Sequence, residues 1–183
     1  MLHHGTLLGE VEASNIYIEV ICSVVNYFAP DITLGTEGLT SYKEIYSMAV
    51  HELAHAAHFS IAGVSWWNDL IVYIAKSFAT GKDMYGNESD SGAGKCGVSE
   101  CWAYYLQNKF LQERYGGENP FIGSGEWFHP QMFTYLEDRG FSASEIQSAL
   151  LPEVVDMATL KEMLINLFPD RQTTINQVFA RYE

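Results

Sequence analysis

Residues 51–55 of this chain read His-Glu-Leu-Ala-His, and they lie inside a predicted helix. Ser41 is a suitable N-cap, and Glu44 three residues later completes a capping box. Gly63 is a suitable stop. Apolar, small and polar residues fill the interval without a proline, which would break the helix. The pattern therefore predicts one helix over about residues 41–62.

Side chains four residues apart lie on the same face of a helix, one turn apart. His51 and His55 can therefore present two imidazole nitrogens to one metal ion. Zinc is the predicted metal, because it accepts nitrogen and carboxylate ligands in a tetrahedral site. Glu52 lies beside the ligands, where its carboxylate can accept a proton from water at the metal. The alternative is that both histidines are buried in a core without a metal.

A catalytic zinc takes three protein ligands besides its water. His58 lies on the same helix face, but closing the tetrahedron requires a ligand from another element. Two downstream glutamates remain: Glu88 in a glycine-rich loop predicted over residues 81–97, and Glu100 in a helix predicted over about residues 98–115. Ala103 is small and would let the two helices approach. We therefore favour Glu100 and keep Glu88 as the alternative.

Hydrolysis at such a site also needs a hydrogen-bond donor for the oxyanion of the transition state. Tyr104 and Tyr105 follow Glu100 in its predicted helix, although both are equally well explained as core aromatic residues. His129 follows a second glycine-rich loop and precedes a proline. We take His129 as the candidate donor, because its loop could fold over the site.

The chain has 183 residues, 48% of them hydrophobic, and a formal net charge of -13. These values predict a single globular domain over residues 1–183. The negative charge excludes the basic surface that nucleic acids and anionic membranes require. No apolar run reaches transmembrane length, and residues 1–5 do not resemble a signal peptide. A nucleic-acid partner and a transmembrane segment are therefore not expected.

The remaining segments predict a mainly helical chain with one short strand. Residues 14–28 favour a helix, residues 31–35 a strand that ends at a glycine, and about 131–182 a series of C-terminal helices. The predicted fold class is mainly α with a small β-sheet, that is, α+β. Cys96 and Cys101 are close enough in sequence to form a disulfide, and free buried thiols are the alternative.

The His-Glu-Leu-Ala-His stretch followed by Glu-Cys-Trp-Ala at residues 100–103 resembles the gluzincin metallopeptidases. In that family, the two histidines of the motif and a glutamate from a second helix bind zinc. More narrowly, residues 27–135 are similar to zinc metallopeptidases that Bacteroidetes-type bacteria export, often as lipoproteins. The resemblance implies a zincin-like fold, a bound zinc ion, hydrolysis of a peptide or protein substrate and an exported location. The 44 residues between His55 and Glu100 exceed the spacing in thermolysin-like members.

Two functional classes that use the metal follow from these observations, and a structural protein without a metal is a third class. The first is a zinc-dependent peptide hydrolase with Glu52 as general base. The alternative is a catalytically silent, zincin-like binding module that retains zinc. The presence of Glu52 favours the hydrolase, because a purely structural zinc has no use for a general base.

Overall fold

The computed structural model describes residues 3–4, 33–34, 41–83, 85–116 and 127–182. In the last three ranges every regular element is a helix, and 73% of the residues are helical. These elements are α1 (Tyr42–Ala79), α2 (Ala93–Tyr115), α3 (Gln131–Glu137), α4 (Ala143–Ser148), α5 (Met157–Leu167), a 3₁₀ turn (Pro169–Arg171) and α6 (Gln172–Phe179).

The predicted small β-sheet, and with it the α+β class, is wrong. Among the described residues, extended chain is confined to β1 (His3–His4) and β2 (Thr33–Leu34), which pair in parallel with His3 opposite Thr33. Two strands of this length offer no face on which a core could pack. The rest of the predicted strand at 31–35, and the predicted helix at 14–28, lie outside the described residues. The described core is built from helix against helix.

Helix α1 begins where the sequence predicted. The Oγ of Ser41 accepts from the Glu44 N–H at 3.2 Å, and the Glu44 Oε2 accepts from the Ser41 N–H at 2.8 Å, so the capping box is confirmed. Gly63 has φ 79° and ψ 172°, which breaks the helix into two segments. Glycine adopts this backbone conformation without steric cost. The predicted stop is thus a break, after which α1 continues to Ala79.

Helix α2 begins five residues earlier than predicted, at Ala93 rather than 98. The loop prediction over 81–97 is therefore wrong for its last part, and the glycines there have another role. A Cβ at Gly97 would lie 2.8 Å from the Trp127 ring, and one at Gly94 would lie 2.5 Å from the Val155 carbonyl oxygen. These glycines lie in the helix and permit close packing against distant parts of the chain.

Helix α2 occupies the centre of the described fold, packed along α1 and also against α3 and α5. Ala54 on α1 and Ala103 on α2 are both buried. Their small side chains allow two helix backbones to approach closely. Trp66 on α1 donates its Nε1–H to the Val154 carbonyl at 2.6 Å, which ties α1 to the segment before α5. The close approach of α1 and α2 positions the side chains discussed below.

Two of the C-terminal helices, α4 and α5, begin with side-chain capping boxes. A capping box at Ser142 and Glu145 opens α4. Helix α5 is capped by Asp156, whose Oδ1 accepts from the Thr159 N–H at 2.8 Å. Thr159 is the third residue of this helix. None of the helices in the described ranges combines the length and the apolar character needed to cross a membrane.

Candidate metal centre

Three potential metal ligands converge where α1 packs on α2. His51 and His55 project from α1, and Glu100 projects from α2. The two histidine Nε2 atoms are 3.1 Å apart. Glu100 Oε2 lies 3.3 Å from His51 Nε2, and Glu100 Oε1 lies 3.4 Å from His55 Nε2. Among the described residues, these three form the one group of His, Cys, Asp or Glu side chains that could hold a metal ion.

The spacing of this group fits a tetrahedral metal. Ligand bonds of about 2.0–2.1 Å place neighbouring ligand atoms of a tetrahedron about 3.3 Å apart. The separation of the two Nε2 atoms, 3.1 Å, is close to that edge, and each Nε2 lies 3.3 or 3.4 Å from a different oxygen of the Glu100 carboxylate. Glu100 Oε2 is buried and makes no hydrogen bond to a described residue. A cation between the three side chains would satisfy this carboxylate oxygen.

The electrostatics of the group also favour a cation. Burial by itself would raise the pKa of Glu100, but the neighbouring His55 and His51 outweigh burial and hold this pKa well below its usual range. Burial likewise works against a charged His55. The Glu100 carboxylate, with a smaller effect from Glu52, outweighs it and raises the pKa of His55. A carboxylate therefore remains ionised in a largely buried site.

His51 has a hydrogen-bond partner on α2 that sequence reasoning missed. Its Nδ1 lies 2.9 Å from Oε1 of Gln107, and the Gln107 Nε2 donates to Oγ of Ser47. Because a carbonyl oxygen only accepts, Nδ1 of His51 carries the proton. The lone pair on Nε2 then faces the other two ligands. A signal was available in the sequence: Gln107 lies two helical turns after Glu100, on the same face of α2.

Glu52 is close to the metal group and is not committed elsewhere in the described structure. It is half-buried, and no described residue forms a hydrogen bond or ion pair with its carboxylate. Its charge contributes to the raised pKa of His55, which places the carboxylate within electrostatic reach of the ligands. A base in this position can exchange protons with water at the group.

The structure separates the two tyrosines considered as oxyanion donors. The Tyr104 ring packs against the His51 ring, with centroids 4.7 Å apart at 63°. The Tyr105 hydroxyl instead donates to Glu137 Oε2 at 3.1 Å, so it is engaged between α2 and α3. Tyr104 is therefore the tyrosine that contacts the metal group.

His129, the donor favoured by the sequence, has its ring against the C-terminal segment. Its imidazole stacks on Tyr182, with centroids 4.9 Å apart. Its backbone N–H donates to Sγ of Cys101 at 3.1 Å. The described contacts thus place the ring on Tyr182 rather than on a ligand, and its role in catalysis stays a prediction.

The two alternative ligands lie outside the group. Glu88 is exposed and lines a different cleft, together with Asp69 and Asp90. His58 is fully buried and packs against the Trp66 ring at 4.5 Å. Burial, reinforced by His55, lowers the pKa of His58 to about 3. His58 is therefore a neutral core residue.

Neither of the two cysteines of α2 forms a disulfide, and both are buried. Burial raises the pKa of the Cys101 thiol to about 12, which keeps it protonated. Cys96 and Cys101 are therefore packing residues in this structure, and the disulfide alternative is not formed.

No family model matches this chain, and no curated protein or solved structure is similar enough to match it. The resemblance to gluzincin peptidases consequently rests on the sequence motif and its downstream glutamate. The chemistry of the site has to be argued from its own side chains.

Proposed function

We propose that the chain is a zinc-dependent peptide hydrolase whose metal is held by His51, His55 and Glu100. The observation that carries the proposal is the convergence of these three ligand atoms beside Glu52. Two imidazoles and one carboxylate are a ligand set found in catalytic zinc sites, in which a fourth position stays open for water or substrate. A carboxylate next to that set, without a hydrogen-bond or ion-pair partner among the described residues, supports catalysis over purely structural metal binding.

When bound, zinc supplies Lewis-acid chemistry, polarising a carbonyl and lowering the pKa of water. Glu52 accepts the proton that the attacking water loses as its oxygen bonds to the carbonyl carbon. The protonated Glu52 then delivers this proton to the amide nitrogen as the C–N bond breaks. The products are a carboxylic acid and an amine, and Glu52 returns to its starting state.

A peptide is the substrate class that best matches this arrangement. The leaving nitrogen of a peptide needs a proton, and a carboxylate that has just accepted one can provide it. The glutamate directly after the first histidine is the arrangement by which metallopeptidases accomplish this. The exported location implied by the family resemblance belongs to the same proposal.

The test uses the purified full chain. Elemental analysis should find about one zinc per chain, a broad peptide library should be cleaved, and a chelator should stop the cleavage. Glu52→Gln keeps the shape of the side chain but cannot accept the proton. Hydrolysis should therefore fall by about 10²–10⁴-fold, with zinc content unchanged.

Glu162→Gln is the matched control, because Glu162 is exposed on α5 and remote from the metal ligands in the chain. It should leave both zinc content and hydrolysis unaltered. Full activity in Glu52→Gln would refute the mechanism. A wild-type chain that holds zinc and cleaves nothing would favour a metal-retaining binding module.

A further inference from the structure

A buried polar chain connects the two helices behind the metal group. Gln107 on α2 and Ser47 on α1 are 6% and 7% exposed. Gln107 Oε1 lies 2.9 Å from His51 Nδ1, and Gln107 Nε2 donates to Ser47 Oγ. Ser47 lies one turn before His51 on the same face of α1. The three side chains therefore link α1 to α2 and back to α1.

We propose that Gln107, oriented by Ser47, is a positioning residue that fixes the tautomer of His51 and so prepares its Nε2 for the metal. This inference rests on the proposed function, because it concerns the same metal group. Gln107 contacts neither Glu100 nor His55 in the hydrogen bonds that the structure describes. It acts through His51 alone.

The orientation of the Gln107 amide decides which nitrogen of His51 can bind a metal. With Oε1 toward the ring, the proton sits on Nδ1 and Nε2 presents a lone pair to the group. With the amide turned over, Nε2 of Gln107 would donate to Nδ1. The proton would then sit on Nε2 of His51, facing Glu100, and would exclude a metal from that position.

Ser47 supplies the element that distinguishes the two amide orientations. In the structure the Ser47 hydroxyl accepts from Nε2 of Gln107. Such a hydroxyl presents lone pairs to its neighbours, and only the nitrogen end of an amide can donate to them. Ser47 therefore holds the Gln107 nitrogen toward itself and the Gln107 oxygen toward His51.

The two histidine ligands differ in whether their Nδ1 atom has a hydrogen-bond partner. Nδ1 of His55 is buried without a hydrogen-bond partner among the described residues, whereas Nδ1 of His51 has one. Partners of this kind orient a ligand and tune its basicity, and their loss typically weakens metal binding by about 10–100-fold. Since Gln107 is neutral, it orients the ring without adding a competing negative charge. His51 is thus the ligand whose tautomer the protein sets.

The first experiment measures the tautomer in the metal-free chain, labelled with ¹⁵N. Long-range ¹H–¹⁵N correlations should show His51 protonated at Nδ1 in wild type. Gln107→Met has a similar size but no acceptor oxygen, so the proton should move to Nε2, opposite Glu100. Asn108→Leu is the matched control, because the neighbouring amide donates to the Tyr104 carbonyl. An unchanged His51 tautomer in Gln107→Met would overturn the proposal.

The second experiment measures zinc affinity by competition with a chromophoric chelator. Gln107→Met should bind zinc about 10–100-fold more weakly, whereas Gln107→Glu, which restores an acceptor, should bind at least as tightly as wild type. Ser47→Ala removes one hydroxyl and should give a smaller loss, and it carries the test if Gln107→Met does not fold. Circular dichroism identifies the folded variants.

The outcomes distinguish the positioning role of Gln107 from the proposed function of the chain. If Gln107→Met and Ser47→Ala both bind zinc as tightly as wild type, the positioning role is refuted while the proposed function stands. If wild type takes up no zinc, the proposed function fails. The tautomer measurement then still decides whether Gln107 controls the His51 ring.

Discussion

Replacing Glu100 is the most direct test of the metal centre, because it removes the one ligand that comes from the second helix. Glu100→Gln keeps the size of the side chain and removes its charge. In the structure this side chain is 8% exposed, and its oxygens lie 3.3 and 3.4 Å from the two Nε2 atoms. A four-ligand zinc site binds with about 10–16 kcal/mol, so one ligand is worth about 3 kcal/mol, and the affinity should fall about 10²-fold.

Glu88→Gln is the matched control for this substitution. Glu88 is exposed and lines a cleft whose walls do not include the two histidines. Its replacement should leave zinc affinity unchanged. Competition with a chelator of known affinity measures both variants, and circular dichroism checks that each retains its helices. Weaker binding in Glu88→Gln with normal binding in Glu100→Gln would refute the assigned ligand set.

Three other substitutions test the packing and the site. Gly97→Ala should lower the free energy of unfolding by about 1–3 kcal/mol in chemical denaturation, because a Cβ there would lie 2.8 Å from the Trp127 ring; a stabilised variant would contradict this packing. With zinc chelated, the free energy of unfolding should fall as the pH is lowered from about 6.5 toward 3, because folding lowers the pKa of His58 from 6.5 to about 3 and the unfolded chain binds the proton first. His58→Phe should reduce the slope of this fall by up to about 1.4 kcal/mol per pH unit. An unchanged slope would contradict the assignment of His58 as a neutral core residue. If the Tyr104 hydroxyl stabilises the oxyanion, Tyr104→Phe should lower kcat by about 10²–10³-fold at constant zinc content. Tyr105→Phe is the control and should leave kcat unchanged. Equal effects of the two substitutions on kcat would argue against a specific role for Tyr104.

Local chemistry explains what the sequence could predict. The start of α1 depends on two side chains three residues apart, Ser41 and Glu44, whose reciprocal hydrogen bonds need nothing from the rest of the chain. The break at Gly63 likewise reflects the backbone freedom of one residue. The pairing of His51 with His55 follows from helical periodicity. Each of these features involves contacts within a single helical segment.

The features that sequence reasoning missed depend on distant contacts. Gly94 and Gly97 resemble loop residues until Val155 and Trp127 are placed against them. Glycine content alone cannot distinguish a flexible loop from a helix whose glycines allow another part of the chain to pack closely against it. The predicted sheet failed for a different reason. Within the described residues, extended chain is confined to two strands of two residues each, which are too short to form a sheet face for a core.

Gln107 was missed because no single-residue property marks it. A buried glutamine on a helix is recognised as functional only when its partner, His51, is known to lie on the facing helix. Once Glu100 is taken as a ligand, the spacing of seven residues places Gln107 on the same face of α2. Helix α2 therefore supplies both the third ligand, Glu100, and the residue that orients the first ligand, His51.

The exposure of the metal group indicates from which side a substrate would approach. The His51 and His55 side chains remain 13% and 15% exposed, whereas the Glu100 side chain is 8% exposed. Solvent therefore reaches the group mainly past the α1 ligands, and Glu52, half-buried, lies on α1 next to His51. Gln107 and Ser47 are buried on the opposite side of the His51 ring, behind Nδ1. If the chain is the hydrolase proposed above, substitutions that change substrate preference should lie around the half-buried Glu52 on α1 rather than around the buried Gln107.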